Sequence, residues 1–144
     1  MSHDIIELLN LEYIEHLVSD ISLRKDGQDL YVYITLKREM NMQCQICGSN
    51  HQYVHDYQTK HITHSIATIG KCTIVYKARR YKCKICQHVY YEPNPFASAY
   101  ESISMYTKTI ILEHLLDHTH TFTSAANLYY TSVQSIINIF DTHV

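Results

Sequence analysis

Hydrophobic positions along this chain follow three successive rhythms. At the start, Asp4 and Glu7 stand at capping-box spacing and Leu8, Leu9 and Leu11 follow, which predicts a short helix. The period then becomes two. Leu30, Val32, Ile34 and Leu36 share one face of a strand, and Tyr31, Tyr33 and Thr35 share the other. The turn from Lys25 to Gln28 carries Asp26-Gly27 ahead of that strand, which predicts a type I′ hairpin. Ile62, His64 and Ile66 alternate before Gly70, and Cys72, Ile74, Tyr76 and Ala78 alternate after it. That pattern is a second hairpin, leading straight into Cys83. Pro93-Asn94-Pro95 reads as a linker, because proline lacks an N–H and restricts the residue before it. Beyond it the period is helical. Ser104 can cap a helix carrying Ile111, Leu112, Leu115 and Leu116. A shorter helix follows from Phe122 to Leu128. Thr131 and Ser132 then cap a last helix with Val133, Ile136, Ile139 and Phe140. Small Ala126 permits a close crossing faced by Ile136 and Ile139. The spacing is that of a helix-turn-helix, and equally that of an ordinary three-helix bundle.

The expected fold class is therefore α+β. It has an N-terminal helix and hairpin over residues 1–40 and a small β-rich zinc-binding domain over 41–96. That domain has two Cys-x-x-Cys knuckles around a β-hairpin. A helix-turn-helix domain over 97–144 completes it. A chain of 144 residues suits one or two small domains. Hydrophobic residues at 46% against charged residues at 18% mark a globular chain rather than a disordered one. No run approaches the roughly 18 apolar residues of a membrane span. Met1 to Asp4 lack the basic region of a signal peptide. The expectation is a cytoplasmic protein with no membrane partner.

The cysteines carry the clearest chemistry. Cys44 and Cys47 form one Cys-x-x-Cys pair, and Cys83 and Cys86 form another. In a reducing compartment such pairs mark metal binding or redox chemistry rather than disulfides. A two-residue gap lets both thiolates of a turn face one point, and two turns complete a tetrahedral site. Gly48 follows the first pair, where positive φ lets backbone N–H groups turn toward sulfur. The cofactor expected is one structural Zn²⁺. The redox reading is weaker, because neither pair sits between a clear strand and a helix start. Haem attachment would need a histidine directly after Cys86, where Gln87 stands. Cys72, in an alternating run, is expected to be a small buried hydrophobe. His61, His64 and His88 lie near the cysteines, but four thiolates already suffice. His114 and His118 are four apart, with His120 beyond and Asp117 between. Solvated polar side chains explain them better than a second metal.

Charge is unevenly spread. The total is −2, whereas residues 41–96 hold seven Lys or Arg against Asp56 and Glu92. Lys77, Arg79, Arg80, Lys82 and Lys84 cluster around Tyr81, a basic stripe suited to phosphate. Arg79 and Arg80 are consecutive on a strand and point to opposite faces, so only one is expected to reach phosphate. On the last helix, Thr131 and Ser132 can meet a phosphate at the N-terminus. Gln134, Ser135 and Asn138 can reach base edges. The helical block itself is acidic, which does not favour phosphate binding.

The order of motifs adds a resemblance. Cys44-x-x-Cys47-Gly48 is followed by Val54-His55-Asp56-Tyr57, then His61-Ile62-x-His64. Ala78-Arg79-Arg80-Tyr81-Lys82-Cys83-x-x-Cys86 comes next, then Glu92, then the stretch from Phe122 to Phe140. This series, with the opening Leu8 to Leu11, resembles the N-terminal region of bacterial insertion-sequence transposases of the ISL-three family. The resemblance implies a zinc finger ahead of a helix-turn-helix, together recognising the terminal inverted repeats of an element in double-stranded DNA. It also implies a DDE-type catalytic domain downstream, whose positions have no counterpart before Val144. A non-catalytic, nucleoid-associated fragment is thus expected, and a homodimer is among the assemblies it allows. Tyr130 stands where a turn-former is usual. Two other readings use the same modules: a stand-alone transcriptional regulator such as an antitoxin-like repressor, and a zinc-stabilised protein-interaction module with Ile137 as an apolar contact. A Cys/His hydrolase would need Cys72 as nucleophile, and no pairing signature accompanies it.

Overall fold

The computed structural model describes residues 2–38, 42–65, 70–98, 101–116 and 121–143. Helix α1 (Ser2–Leu8) opens the chain, and a 3-10 helix (Glu12–Leu17) follows. α1 starts earlier than the capping-box spacing predicts. Asp4 therefore lies inside its first turn, where a negative charge still suits the helix dipole.

Strands β1 (Val18–Asp26) and β2 (Asp29–Leu36) form the first hairpin, with Asp26 opposite Asp29. Of the two central turn residues only Gly27 takes positive φ, at 61°. The turn is therefore of the II′ kind and not the expected I′, which would force Gln28 into the left-handed region as well. β2 keeps the alternation read from the sequence: Val32, Ile34 and Leu36 are buried and Tyr33 is exposed.

Strands β3 (Gln52–Thr63) and β4 (Cys72–Cys83) form the second hairpin, and β5 (Val89–Tyr91) returns along the end of β4. The order across the sheet is β1-β2-β4-β3, with β5 on the β2 side of β4. β2 and β4 run parallel, Leu30 to Ile34 alongside Cys72 to Tyr76. One sheet thus crosses the boundary drawn at residue 40, and the first two blocks share a core.

That core lies on one face of the sheet. Ile6, Leu9, Leu11 and Ile14 from the N-terminal helices meet Val32, Ile34, Ile74 and Tyr76 from β2 and β4. Full burial of such side chains stabilises by about 1.5–3 kcal/mol each. The Pro93-Asn94-Pro95 stretch is not a slack linker. The Asn94 side-chain oxygen accepts from the N–H groups of Phe96 (2.9 Å) and Ala97 (3.3 Å). This local turn drives Phe96 into the core, edge-on to Tyr76 at 5.0 Å.

Helices α2 (Met105–Leu115), α3 (Phe122–Leu128) and α4 (Val133–His143) surround a second core of Ile111, Ala125, Ala126, Tyr129, Ile136 and Ile139. Ser104, Thr121 and Ser132 cap them by accepting from the N–H groups of Thr107, Ser124 and Ser135. Tyr130 makes the turn between α3 and α4 at φ 55°, a conformation that glycine adopts more readily. The helices are tied to the sheet. The Thr63 N–H donates to the Ser102 carbonyl (2.7 Å), and the Ser104 N–H donates to the Thr63 carbonyl (2.8 Å). Among the described residues no helix is long and apolar enough to cross a membrane.

Candidate metal centre

Gln52 at the start of β3 pairs with Cys83 at the end of β4. The hairpin therefore holds both Cys-x-x-Cys turns together at its open end. The two turns are built alike. In the first, the Gly48 N–H donates to the Cys44 carbonyl (2.8 Å) and the Cys44 N–H to the Ser49 carbonyl (2.8 Å). In the second, the Gln87 N–H donates to the Cys83 carbonyl (3.1 Å) and the Cys83 N–H to the His88 carbonyl (2.9 Å). Gly48 and Gln87 both take positive φ, 73° and 65°. Gln87 thus repeats the role of Gly48, although nothing about a glutamine announces it. The Lys84 N–H donates to the His51 carbonyl (2.8 Å) and stitches one turn to the other.

The result is a cluster of four sulfurs, all within 4.8 Å of one another. Cys44 and Cys86 lie 3.5 Å apart, as do Cys47 and Cys83. A tetrahedral ion with Zn–S near ~2.3 Å sets its sulfurs roughly 3.8 Å apart, so the cage fits one such ion. Four thiols are a soft donor set, suited to zinc and to other thiophilic metals. Cys44, Cys47, Cys83 and Cys86 can therefore hold a metal ion, and structural ions of this kind supply folding energy.

The backbone prepares the sulfurs for that role. N–H groups of Cys86 and Ile85 aim at the Cys83 sulfur and lower its thiol to about 6. N–H groups of Cys47 and Ile46 lower Cys44 likewise. The His88 N–H helps Cys86, but burial and the crowding of three other sulfurs push it up to about 12. A bound cation removes that conflict, because it favours the thiolate at every position.

No histidine joins this cluster among the described residues. His64 is fully buried and used elsewhere. Its Nε2 donates to the Leu9 carbonyl (2.7 Å), and its Nδ1 accepts from the Ser104 hydroxyl (2.6 Å). It joins α1, the end of β3 and the cap of α2, a role the alternating pattern did not reveal. His114 stands edge-on to Tyr129 at 5.8 Å, whereas Asp117, His118 and His120 lie outside the described residues. Cys72 is wholly buried, and burial pushes its thiol up to about 12, which disqualifies it as a nucleophile.

The basic stripe is divided. Arg79 forms an ion pair with buried Glu92 (3.2 Å) and donates to the Leu36 carbonyl (2.7 Å). Arg80, on the opposite face, grips Asp56 with two donors, its Nε at 2.6 Å from one carboxylate oxygen. The expectation that one arginine would reach phosphate directly meets two arginines already paired. Their partners are the two acids of the motif series, Asp56 and Glu92. Lys77 and Lys84 are exposed, and the Lys84 ammonium lies 5.9 Å from the Tyr53 ring. Lys82 is half-buried opposite Val89.

On α4, the Ser132 hydroxyl donates to Ser135 (2.9 Å), and the Gln134 amide donates to the Asn138 oxygen (2.9 Å). Thr131 is half-buried before the helix begins. Ser135 and Asn138 also line a small polar cleft of about 190 Å³ with Glu101 and Lys108, which pair at 2.8 Å. No protein-family model, curated protein or solved structure matches this chain.

Proposed function

We propose that this chain is a zinc-stapled module that binds double-stranded DNA, of the kind that reads the terminal inverted repeats of an insertion sequence for a transposase. The observation that carries the reading is the convergence of four cysteines at the open end of the β3–β4 hairpin, with Lys82 and Lys84 flanking Cys83. Such a staple holds a short hairpin end rigid and presents its lysines to a phosphate backbone. α4 is the element offered to a major groove, with Gln134 and Asn138 on its exposed side. Those two side chains bond to each other and would exchange that bond for adenine edges. Strand cleavage is not part of this reading: Asp56, Glu92 and Glu101 are paired with cations, and eight of the fourteen acids lie in residues 1–40.

The experiment is a titration of the zinc-loaded protein against a duplex carrying such a repeat and against a scrambled duplex. Changing Lys82 and Lys84 together to alanine should weaken binding to both and flatten the salt dependence by about two ions. Gln134→Ala or Asn138→Ala should narrow the gap between the two duplexes. Absence of binding at ~50 mM salt sinks the reading. A specific observation favours a second reading in that event. Ile46 and Ile85 project from the tips of the two knuckles at 68% and 64% exposure, a paired apolar tip suited to a protein partner.

A further inference from the structure

One face of the sheet is covered by the N-terminal helices, and the other carries rings in the open. Tyr33 on β2 and Tyr57 on β3 are 39% and 58% exposed. Between them lies a basin of about 470 Å³, floored by Val75 and edged by Thr35, Thr59 and Lys77. The strand register fixes its layout. Tyr33 and His61 both stand opposite Val75, Thr59 stands opposite Lys77, and Tyr57 stands opposite Arg79. Consecutive strands are about 4.8 Å apart and residues rise about 3.3 Å each, so the two tyrosines stand roughly 16 Å apart on a diagonal. Lys77 is exposed on that diagonal, and among the described residues no carboxylate lines the basin. Arg79, at its margin, is neutralised by Glu92.

We propose that this open face binds single-stranded DNA, with bases stacked on Tyr33 and Tyr57 and the backbone between them held by Lys77. The inference rests on the reading that the chain works on DNA, but it uses a different surface. Exposed flat rings on a sheet suit bases whose faces are free, and a duplex hides those faces in its own stack. The diagonal spans about two or three nucleotides, the number that sheet-borne aromatics commonly stack. The chemistry of the lining fits the same ligand. Rings take base faces, threonine hydroxyls take base edges or phosphate, and the lysine supplies the charge that a bare sheet face lacks. Such a site has little preference among bases, because every base presents a π-face.

The test uses the full zinc-loaded chain and a fluorescein-labelled fifteen-residue oligo(dT), read by anisotropy at ~50 mM salt. Changing Tyr33 and Tyr57 together to alanine should lower affinity about 10- to 100-fold. Changing both to phenylalanine should retain it, because the rings remain. Binding of a random duplex should stay within about twofold in either variant, while the Lys82 and Lys84 double variant should lose duplex and keep oligo(dT). Metal content and far-ultraviolet circular dichroism should match the parent throughout. If duplex binding fails while ring-dependent oligo(dT) binding persists, the duplex reading falls and this one stands. The proposal is overturned if oligo(dT) does not bind, if the alanine pair binds as the parent does, or if the phenylalanine pair loses binding as the alanine pair does. Oligo(U) binding at least as tightly would also overturn it, as would a dimer that only the alanine pair abolishes, with no oligonucleotide bound.

Discussion

Two adjacent arginines do different work because a strand sends neighbours to opposite faces. Arg79 meets Glu92 in a nearly closed site, where the side chains are 14% and 7% exposed. Removing one partner of such a pair strands a buried charge, at a cost of about 3–5 kcal/mol. Arg79→Ala should therefore lower the melting temperature sharply. Arg80→Ala, whose partner Asp56 is open to solvent, should change it little. A thermal melt of each variant checks the order, and equal losses would refute it. His64 sets a pH dependence of defined sign. Burial holds its pKa below the ordinary value, while the unfolded chain binds a proton near ~6.5. The unfolded state then takes up more protons as pH falls through that value, and stability drops. His3, raised by its bond to Glu15, acts in the opposite sense at an exposed site. Urea melts at pH 7 and pH 5 should differ less for His64→Gln than for the parent. An unchanged difference would assign the acid sensitivity to other groups.

Elements differed in how plainly the sequence announced them. The second strand, the three C-terminal helices and the caps Ser104 and Ser132 were legible, although Leu116, read as part of the apolar stripe of α2, is exposed. Ser104 is both a good cap by type and the observed cap. The full length of β3 was not legible. Apart from Val54, its residues from Gln52 to Lys60 are polar or aromatic, and they pair because β4 stands beside them rather than through alternation of their own. β5 is three residues long and leaves no periodic signal. The cysteine cluster was legible in full from spacing, whereas the engagement of Arg79 and Arg80 was not, because pairing with Glu92 and Asp56 depends on register. The hairpin has two ends with different supports. Its Ile62 and Ile74 end sits in the core, and its Gln52 and Cys83 end depends on the cysteine turns. Chelation, or Cys83→Ser, should raise amide exchange at Tyr53, Val54, Tyr81 and Lys82 well before Ile62 and Ile74. Cys72→Ala should leave metal content intact. Uniform loss of protection along the hairpin would show that the metal end and the core end are one cooperative unit.

The whole molecule turns on the parallel junction of β2 with β4, which local patterning cannot reveal because its partners lie far apart in the chain. Without residues 1–40, the edge of β4 from Cys72 to Tyr76 would lie bare beside a stripped core face. A bare apolar edge recruits other strands. A fragment from residue 41 onward should therefore aggregate under conditions where the full chain stays dispersed, even when loaded with metal. Light scattering of the two checks this, and a monomeric fragment would show that the cysteine block folds independently. The same junction also has a history during synthesis. Leu30 leaves the ribosome long before Cys72, its neighbour in the finished sheet. At about 5–20 residues per second the wait lasts roughly two to eight seconds. For that interval the nascent first hairpin is half a sheet, with its inner strand open to any chaperone that arrives first.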